Sequence, residues 1–148
     1  MEANKLAIDF LNKMVNRPLA YAIKSPDTEL YDFGFGEERE TDDKRILPPY
    51  ILHVLCRFKI IPKDGSRKVQ ICHEDTTPSV FNKKIEPLIG LSVQRVGLSN
   101  KNDLWLDFGA YWVVFATFEE DNDEAWRFFI SGSDEPHLVA TSNVLEFQ

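Results

Sequence analysis

The sequence has few of the residues that form cross-links or metal centres. It contains two cysteines and three histidines in 148 residues, too few for a disulfide framework. No apolar run approaches the roughly 18 residues that a membrane-spanning helix needs. The first residues, with an acid at position 2, lack the basic and apolar stretches of a signal peptide. We therefore expect a cytoplasmic protein with no membrane-spanning segment.

Signature motifs of catalysis and of phosphate binding are also missing. The seven glycines match no dinucleotide-binding or P-loop pattern, and there is neither a Gly-x-Ser-x-Gly nor a His-Glu-x-x-His. The run Cys72–Asp75 brings Cys, His, Glu and Asp together, but neighbours on a strand point to opposite faces and do not converge on one ion. The sequence thus predicts no catalytic residue, no metal and no other cofactor.

Positive charge is scarce. Lys and Arg number 17 against 24 Asp and Glu, a net charge of −7, which disfavours nucleic acid and anionic membranes as partners and favours a basic protein. The acids concentrate in one run that contains Glu119, Glu120, Asp121, Asp123 and Glu124. This run lacks the central glycine of a calcium loop. It is either a solvated loop or a docking edge for a basic partner.

Length and pattern predict a single α+β domain over residues 1–148. Apolar residues recur at helical spacing over 4–15, with Leu6, Phe10, Leu11 and Met14 on one face. Thr77-Pro78 favours a short helix over 77–88. Alternating runs predict strands at 19–24, 29–35, 53–61, 91–98, 103–108, 111–118, 125–131 and 137–147, and 36–49 is expected to be an exposed loop. The fold class is therefore an N-terminal helix packed on a largely antiparallel sheet meander, with a short middle helix.

A hairpin is predicted after residue 61, because Asp64-Gly65 is typical of a two-residue type I′ turn. With that loop, Phe58 lies opposite Ile71 and all apolar side chains share one face. Cys56 and Cys72 then point to opposite faces, so we predict two free thiols.

Five side chains outside the acidic run are candidates for function. Trp105 shares a face with Asp107, opposite two leucines, and would anchor a partner if that face meets solvent. Asp32 and Asp107 occupy similar short segments and would form a carboxylate pair if those segments are a duplication. His53 and His73 are the histidines that a hydrolytic site would use.

Three stretches carry a family resemblance: Tyr31–Gly36, Leu52–Ile60 and residues 88–139. Together they resemble a group of uncharacterised bacterial proteins, small and acidic with α+β folds, which are often regarded as immunity-like partners of secreted toxins. The resemblance covers about residues 28–147. Its motifs are strand ends, turns and core aromatics, so it implies a fold more than a function.

Three functions follow as hypotheses. The first is a non-catalytic protein-binding module, immunity-like by the resemblance, in which the acidic run steers a basic toxin and Trp105 anchors it. The second is a small hydrolase that uses His53, His73 or the pair of Asp32 and Asp107. The third is a structural domain that forms homo-oligomers through exposed aromatics.

Overall fold

A computed structural model of the chain describes residues 2–117 and 123–148. Its two helices and mostly antiparallel strands form an α+β fold, which confirms the predicted fold class. The helices are α1 (Glu2–Leu11) and α2 (Pro78–Ile85), each followed by a 3-10 turn at Asn12–Met14 and Glu86–Leu88. Within the described ranges, no helix has the length and apolar character needed to cross a bilayer.

The described strands form two larger sheets and a short ribbon. The strands are β1 (Leu19–Lys24), β2 (Tyr31–Phe35), β3 (Arg39–Glu40), β4 (Ile46–Leu47), β5 (Tyr50–Val54), β6 (Phe58–Pro62), β7 (Gln70–Cys72), β8 (Arg95–Leu98), β9 (Leu104–Asp107), β10 (Tyr111–Phe115), β11 (Trp126–Ile130), β12 (Leu138–Ala140) and β13 (Leu145–Phe147). One sheet has six strands in the order β1-β2-β5-β11-β12-β13, and the other has five in the order β7-β6-β10-β9-β8. All named pairings in these sheets are antiparallel.

The inner faces of the two sheets meet in one aromatic core. Phe33 of β2 lies edge-on to Phe115 of β10, with ring centroids 5.5 Å apart, and to Phe58 of β6 at 5.7 Å. Phe81 of α2 contacts the rings of Tyr31 and Phe58. Large buried aromatics contribute most of the apolar area removed from water. The core therefore holds the two sheets together and leaves the opposite face of each sheet for other roles.

Both helices were predicted, and one detail of α1 was wrong. Ala7, Leu11 and Met14 are fully buried, whereas Leu6 is 59% exposed, so the buried stripe starts one residue later than expected. The helix also begins at Glu2. In α2 the side chain of Thr77 accepts a hydrogen bond from the Val80 amide, as its N-cap role predicts.

The single strand predicted over 53–61 is two strands in different sheets. β5 pairs with β2 and β11, whereas β6 pairs with β7 and β10. Val54, Cys56, Phe58 and Ile60 are nonetheless all buried. The inward alternation continues while the chain passes from one sheet to the other, and this is why the apolar pattern predicts one strand.

The hairpin that follows has a different register from the predicted one. Phe58 pairs with Cys72 instead of Ile71, because the connection spans residues 63–69 and is longer than two residues. A shift of one residue exchanges the faces of a strand. Ile71 is accordingly 51% exposed and Cys72 is fully buried.

The two cysteines are free thiols, as predicted, although the predicted reason was wrong. Both Cys56 and Cys72 are buried on the inner side. Burial raises the pKa of Cys56 to about 12 and that of Cys72 to about 11. Both thiols therefore stay protonated at neutral pH and are inert.

Three further elements differ from the prediction. The segment 36–49 contains the β3–β4 ribbon instead of only a loop, and 137–147 holds two strands instead of one. The predicted meander is broken between β10 and β11: β8, β9 and β10 form one meander in the five-stranded sheet, and β11, β12 and β13 form another in the six-stranded sheet.

Candidate functional site

Trp105 lies on the outward face of the five-stranded sheet. Leu104 and Leu106 on either side of it are fully buried, whereas Trp105 is partly exposed. Its indole ring makes an edge-to-face contact with Trp112 of β10, with centroids 5.3 Å apart. The alternation in the sequence correctly placed Trp105 opposite the two leucines. The structure shows that its side of the strand is the outward one, and it adds the second tryptophan.

A glycine makes room for the indole of Trp105. Gly97 lies directly opposite on β8, and a Cβ atom there would lie 1.8 Å from Cζ2 of Trp105. The indole therefore lies across the backbone of Gly97, in space that any other residue would occupy. Glycine is thus required at this position for Trp105 to keep its orientation.

Asp107 on the same face is a structural carboxylate. Its side chain is almost fully buried and accepts hydrogen bonds from Lys63 Nζ at 2.7 Å, from Arg95 Nη2 at 3.1 Å and from the Gly109 amide at 2.8 Å. Burial alone would raise its pKa, but these donors outweigh burial and hold the pKa below its usual range. The same two cations lie over the ring of Trp112, with Lys63 Nζ 4.5 Å from its centroid.

The acidic run is described only in part. Glu119, Glu120 and Asp121 lie outside the described residues. Asp123 is exposed, and both carboxylate oxygens of Glu124 accept hydrogen bonds from the guanidinium of Arg127, at 2.7 and 3.2 Å. Glu124 therefore has a partner within the protein.

The outward face of the six-stranded sheet brings two of the predicted residues together. Asp32 of β2 and His53 of β5 are cross-strand neighbours, with Oδ1 of Asp32 3.6 Å from Nε2 of His53. The hydroxyl of Tyr21 on β1 donates to the same oxygen at 3.1 Å. Asp107 lies in the other sheet, so the predicted pair of Asp32 and Asp107 is wrong. His73 does not join this group: its Nδ1 accepts a hydrogen bond from the Asp75 amide in a local turn.

Partial burial changes the acidity of both groups. Burial raises the pKa of Asp32, and the charge of His53 and the hydrogen bond from the Tyr21 hydroxyl partly offset this rise. Burial lowers the pKa of His53 below the ordinary 6.5, where Asp32 opposes the shift and Arg127 adds to it. Both shifts favour the uncharged forms. A carboxyl and an imidazole in this state can exchange a proton with a bound molecule.

His137, which sequence reasoning left without a role, joins this face. The ring of Phe129 contacts His53 edge-on at 5.0 Å and stacks on His137 at 4.3 Å. Nδ1 of His137 lies 2.9 Å from Nη1 of Arg127, and it accepts the hydrogen bond because a guanidinium only donates. His53, Phe129 and His137 come together because β11 pairs with β5 on one side and with β12, which begins just after His137, on the other. No local pattern in the sequence predicts these pairings.

The pair of Asp32 and His53 lines a shallow cavity of about 160 Å³ next to the β3–β4 ribbon. Ser131 is the hydroxyl residue in its lining besides Tyr21, but its Oγ is buried and donates to the Pro48 carbonyl at 2.6 Å. The cavity thus offers a proton acceptor without an activated nucleophile. Among the described residues, no group of three or more His, Cys, Asp or Glu could hold a metal ion.

Comparison of the chain with protein-family models, with curated proteins and with solved structures finds no match in any of the three. The two outward faces carry the features that bear on function. One presents tryptophans among cations, and the other presents the pair of Asp32 and His53.

The charges around His53 predict opposite effects of two substitutions. Asp32→Asn removes the charge that raises the pKa of His53, so this pKa should fall further below 6.5, whereas Arg127→Gln should raise it. Since the pKa in the folded protein is depressed, His53 contributes stability above about pH 6.5 that is lost as pH falls towards the folded pKa. NMR titration of the imidazole protons measures both shifts. A rise of the His53 pKa in Asp32→Asn would contradict the assigned coupling.

Proposed function

We propose that the protein is a non-catalytic protein-binding module whose contact surface is the outward face of the five-stranded sheet. The observation that supports the proposal is the pair of partly exposed tryptophans, Trp105 and Trp112, side by side on neighbouring strands of an open sheet. Tryptophan is enriched among the residues that dominate binding energy at protein interfaces.

Aliphatic side chains extend this surface from the tryptophans towards the edge strand β7. The register places Ile71, Lys59, Val114 and Trp105 in one row across β7, β6, β10 and β9. Ile71 is 51% exposed at the edge of the sheet. An apolar and aromatic centre surrounded by a polar rim is the usual composition of a contact surface.

We further propose that the partner is basic and that the acidic run is its docking edge. The support is the net charge of −7 and the concentration of acids over 119–124, because complementary potentials speed encounter. The resemblance to immunity-like proteins of bacteria suggests a toxin that is neutralised by occlusion in the cytoplasm. In this proposal Trp105 contributes binding energy in the complex, and the acidic run speeds association with the partner.

Ile71 and Trp105 give the direct test of the contact surface. A partner captured with the wild-type chain and purified should bind Ile71→Asp and Trp105→Ala at least about tenfold more weakly. Ile46→Asp is the matched control, since Ile46 is an exposed isoleucine, 67% accessible, on the separate β3–β4 ribbon, and it should bind normally. Isothermal titration measures the affinities, and circular dichroism verifies the fold of each variant.

Unchanged affinity in folded Ile71→Asp would contradict this surface. The outward face of the five-stranded sheet would then either contact a second copy of the chain or bind no protein. A solution mass of twice 17.1 kDa that persists in Ile71→Asp would instead place a homo-oligomer contact elsewhere on the molecule.

Charge reversal tests the acidic edge separately. Replacing Glu119, Glu120 and Asp121 by Lys should slow association with the partner markedly and weaken its dependence on salt. The control variant, in which Asp27, Glu29 and Glu37 are replaced by Lys, has the same change in net charge. It should associate with the partner faster than the first variant does. Stopped-flow measurement gives both rates, and an unchanged rate in the first variant would end the acidic-edge proposal.

The second candidate function is a small hydrolase that uses His53 as a proton acceptor. The specific support is the 3.6 Å approach of Asp32 to His53 in a cavity. If a hydrolytic activity is found, it should fall by about 10²-fold or more in His53→Gln, and an activity that survives this change would exclude the pair as its source.

A further inference from the structure

A second cavity lies between the connection from β6 to β7 and the C-terminal part of α2. It has a volume of about 310 Å³, and four of its nine lining residues are cationic: Arg67, Lys68, Lys83 and Lys84. None of the nine is acidic. In a chain of net charge −7, such a local excess of positive charge is opposite to the character of the whole protein.

Among the residues that the structure describes, no carboxylate forms an ion pair with any of the four cations. Arg67 donates to the hydroxyl of Tyr111 at 2.8 Å and Lys84 donates to the Ile71 carbonyl at 2.8 Å, and both of these acceptors are uncharged. Across residues 2–117 and 123–148, Lys68 and Lys83 form no ion pair within 4.0 Å. Like charges that line one cavity repel one another, so an anion placed among them is stabilised.

The nearest acids in the chain do not supply that anion. Asp64 belongs to the same connection as Arg67. The hydrogen bond from the Ser66 amide, with a smaller contribution from the charge of Arg67, holds the pKa of Asp64 below its usual range, but the two side chains form no ion pair within 4.0 Å. Glu86 follows α2 and is exposed, and neither acid lines the cavity.

Apart from Gln70, which is polar and uncharged, the rest of the lining is apolar and aromatic. Ile60 and Tyr111 are buried at 1% and 8% exposure, and Pro62 and Pro87 complete the apolar part. The hydrogen bond from Arg67 fixes the hydroxyl of Tyr111 at the edge of the cavity. A ligand with a charged end and a flat apolar part therefore meets both kinds of surface.

We propose that this cavity binds a small phosphorylated molecule. Arg67, Lys68, Lys83 and Lys84 hold its phosphoryl oxygens through charge-assisted hydrogen bonds, and Pro87 and Tyr111 contact its apolar part. The volume lies at the lower end of the roughly 300–1,000 Å³ found for small-molecule sites. The cations surround a concavity instead of following a stripe, which favours a compact anion over an extended polyanion.

Titration with inorganic pyrophosphate and with adenosine diphosphate tests the proposal. The double variant Lys68→Gln/Lys83→Gln removes two exposed charges that form no ion pairs, so it should fold normally. Lys5→Gln/Lys101→Gln is the matched control, since both lysines are exposed, lie outside the cavity and give the same change in net charge. Pyrophosphate should bind the first variant at least tenfold more weakly than wild type and the control within twofold of wild type. Isothermal titration at fixed ionic strength measures all three affinities.

Comparing the two ligands shows whether the cavity recognises the phosphoryl group alone or also a ring attached to it. Tighter binding of adenosine diphosphate would assign the site to a ligand with a ring, and equal affinities would assign it to the phosphoryl group alone. No saturable binding of either ligand below about 1 mM, or equal weakening in the control, would overturn the proposal. Tighter binding of hexaglutamate or of an oligothymidine, lost in Lys68→Gln/Lys83→Gln, would overturn it in favour of an extended acidic partner.

Discussion

The buried carboxylate of Asp107 joins three strands through the charges around it. It lies on β9, accepts hydrogen bonds from Arg95 on β8 and from Lys63 just after β6, and is satisfied further by the Gly109 amide. A buried charge is stable only when it is paired and hydrogen-bonded. The two cations that pair with Asp107 also lie over Trp112. The position of that ring, and through its contact the position of Trp105, therefore depends on this one carboxylate.

The same interaction extends to the cationic cavity. Lys63 is the first residue of the connection that carries Arg67 and Lys68, and its amide also donates to the Ala110 carbonyl. Fixing Lys63 fixes one end of this connection against β10. The tryptophan surface and the cavity are thus parts of one region of the five-stranded sheet, while the pair of Asp32 and His53 lies on the opposite side of the aromatic core.

Local patterns predicted the elements better than their partners. Both helices, the Thr77 cap and the placement of Trp105 opposite its two leucine neighbours followed from spacing and capping chemistry. The change of sheet between β5 and β6 could not be predicted from the sequence. Val54, Cys56 and Phe58 alternate inward in the same way whichever sheet supplies their hydrogen bonds. The hairpin register failed because Asp64-Gly65 lies within a longer connection, where the local turn signal no longer sets the pairing.

The candidate sites were hidden for a related reason. His53 and Asp32 were both named from the sequence, but their proximity depends on β2 pairing with β5, which no local pattern encodes. The net charge of −7 conceals a cavity whose four cations come from two segments about 15 residues apart in the chain. Surfaces assembled from distant segments become visible only when the pairing of strands is known.

The most direct test of this account is the stability of Asp107→Asn as a function of pH. The substitution leaves Lys63 and Arg95 without their anion, so unfolding should cost about 2 kcal/mol less than in wild type at pH 7, a loss reduced from the ~3–5 kcal/mol of fully buried pairs because both cations are partly exposed. Since the pKa of Asp107 is depressed in the folded protein, this difference should be complete above about pH 4 and shrink as pH falls through the folded pKa. A difference below about 0.5 kcal/mol at pH 7, or one that stays constant down to the lowest pH at which the protein is folded, would contradict the role given to Asp107.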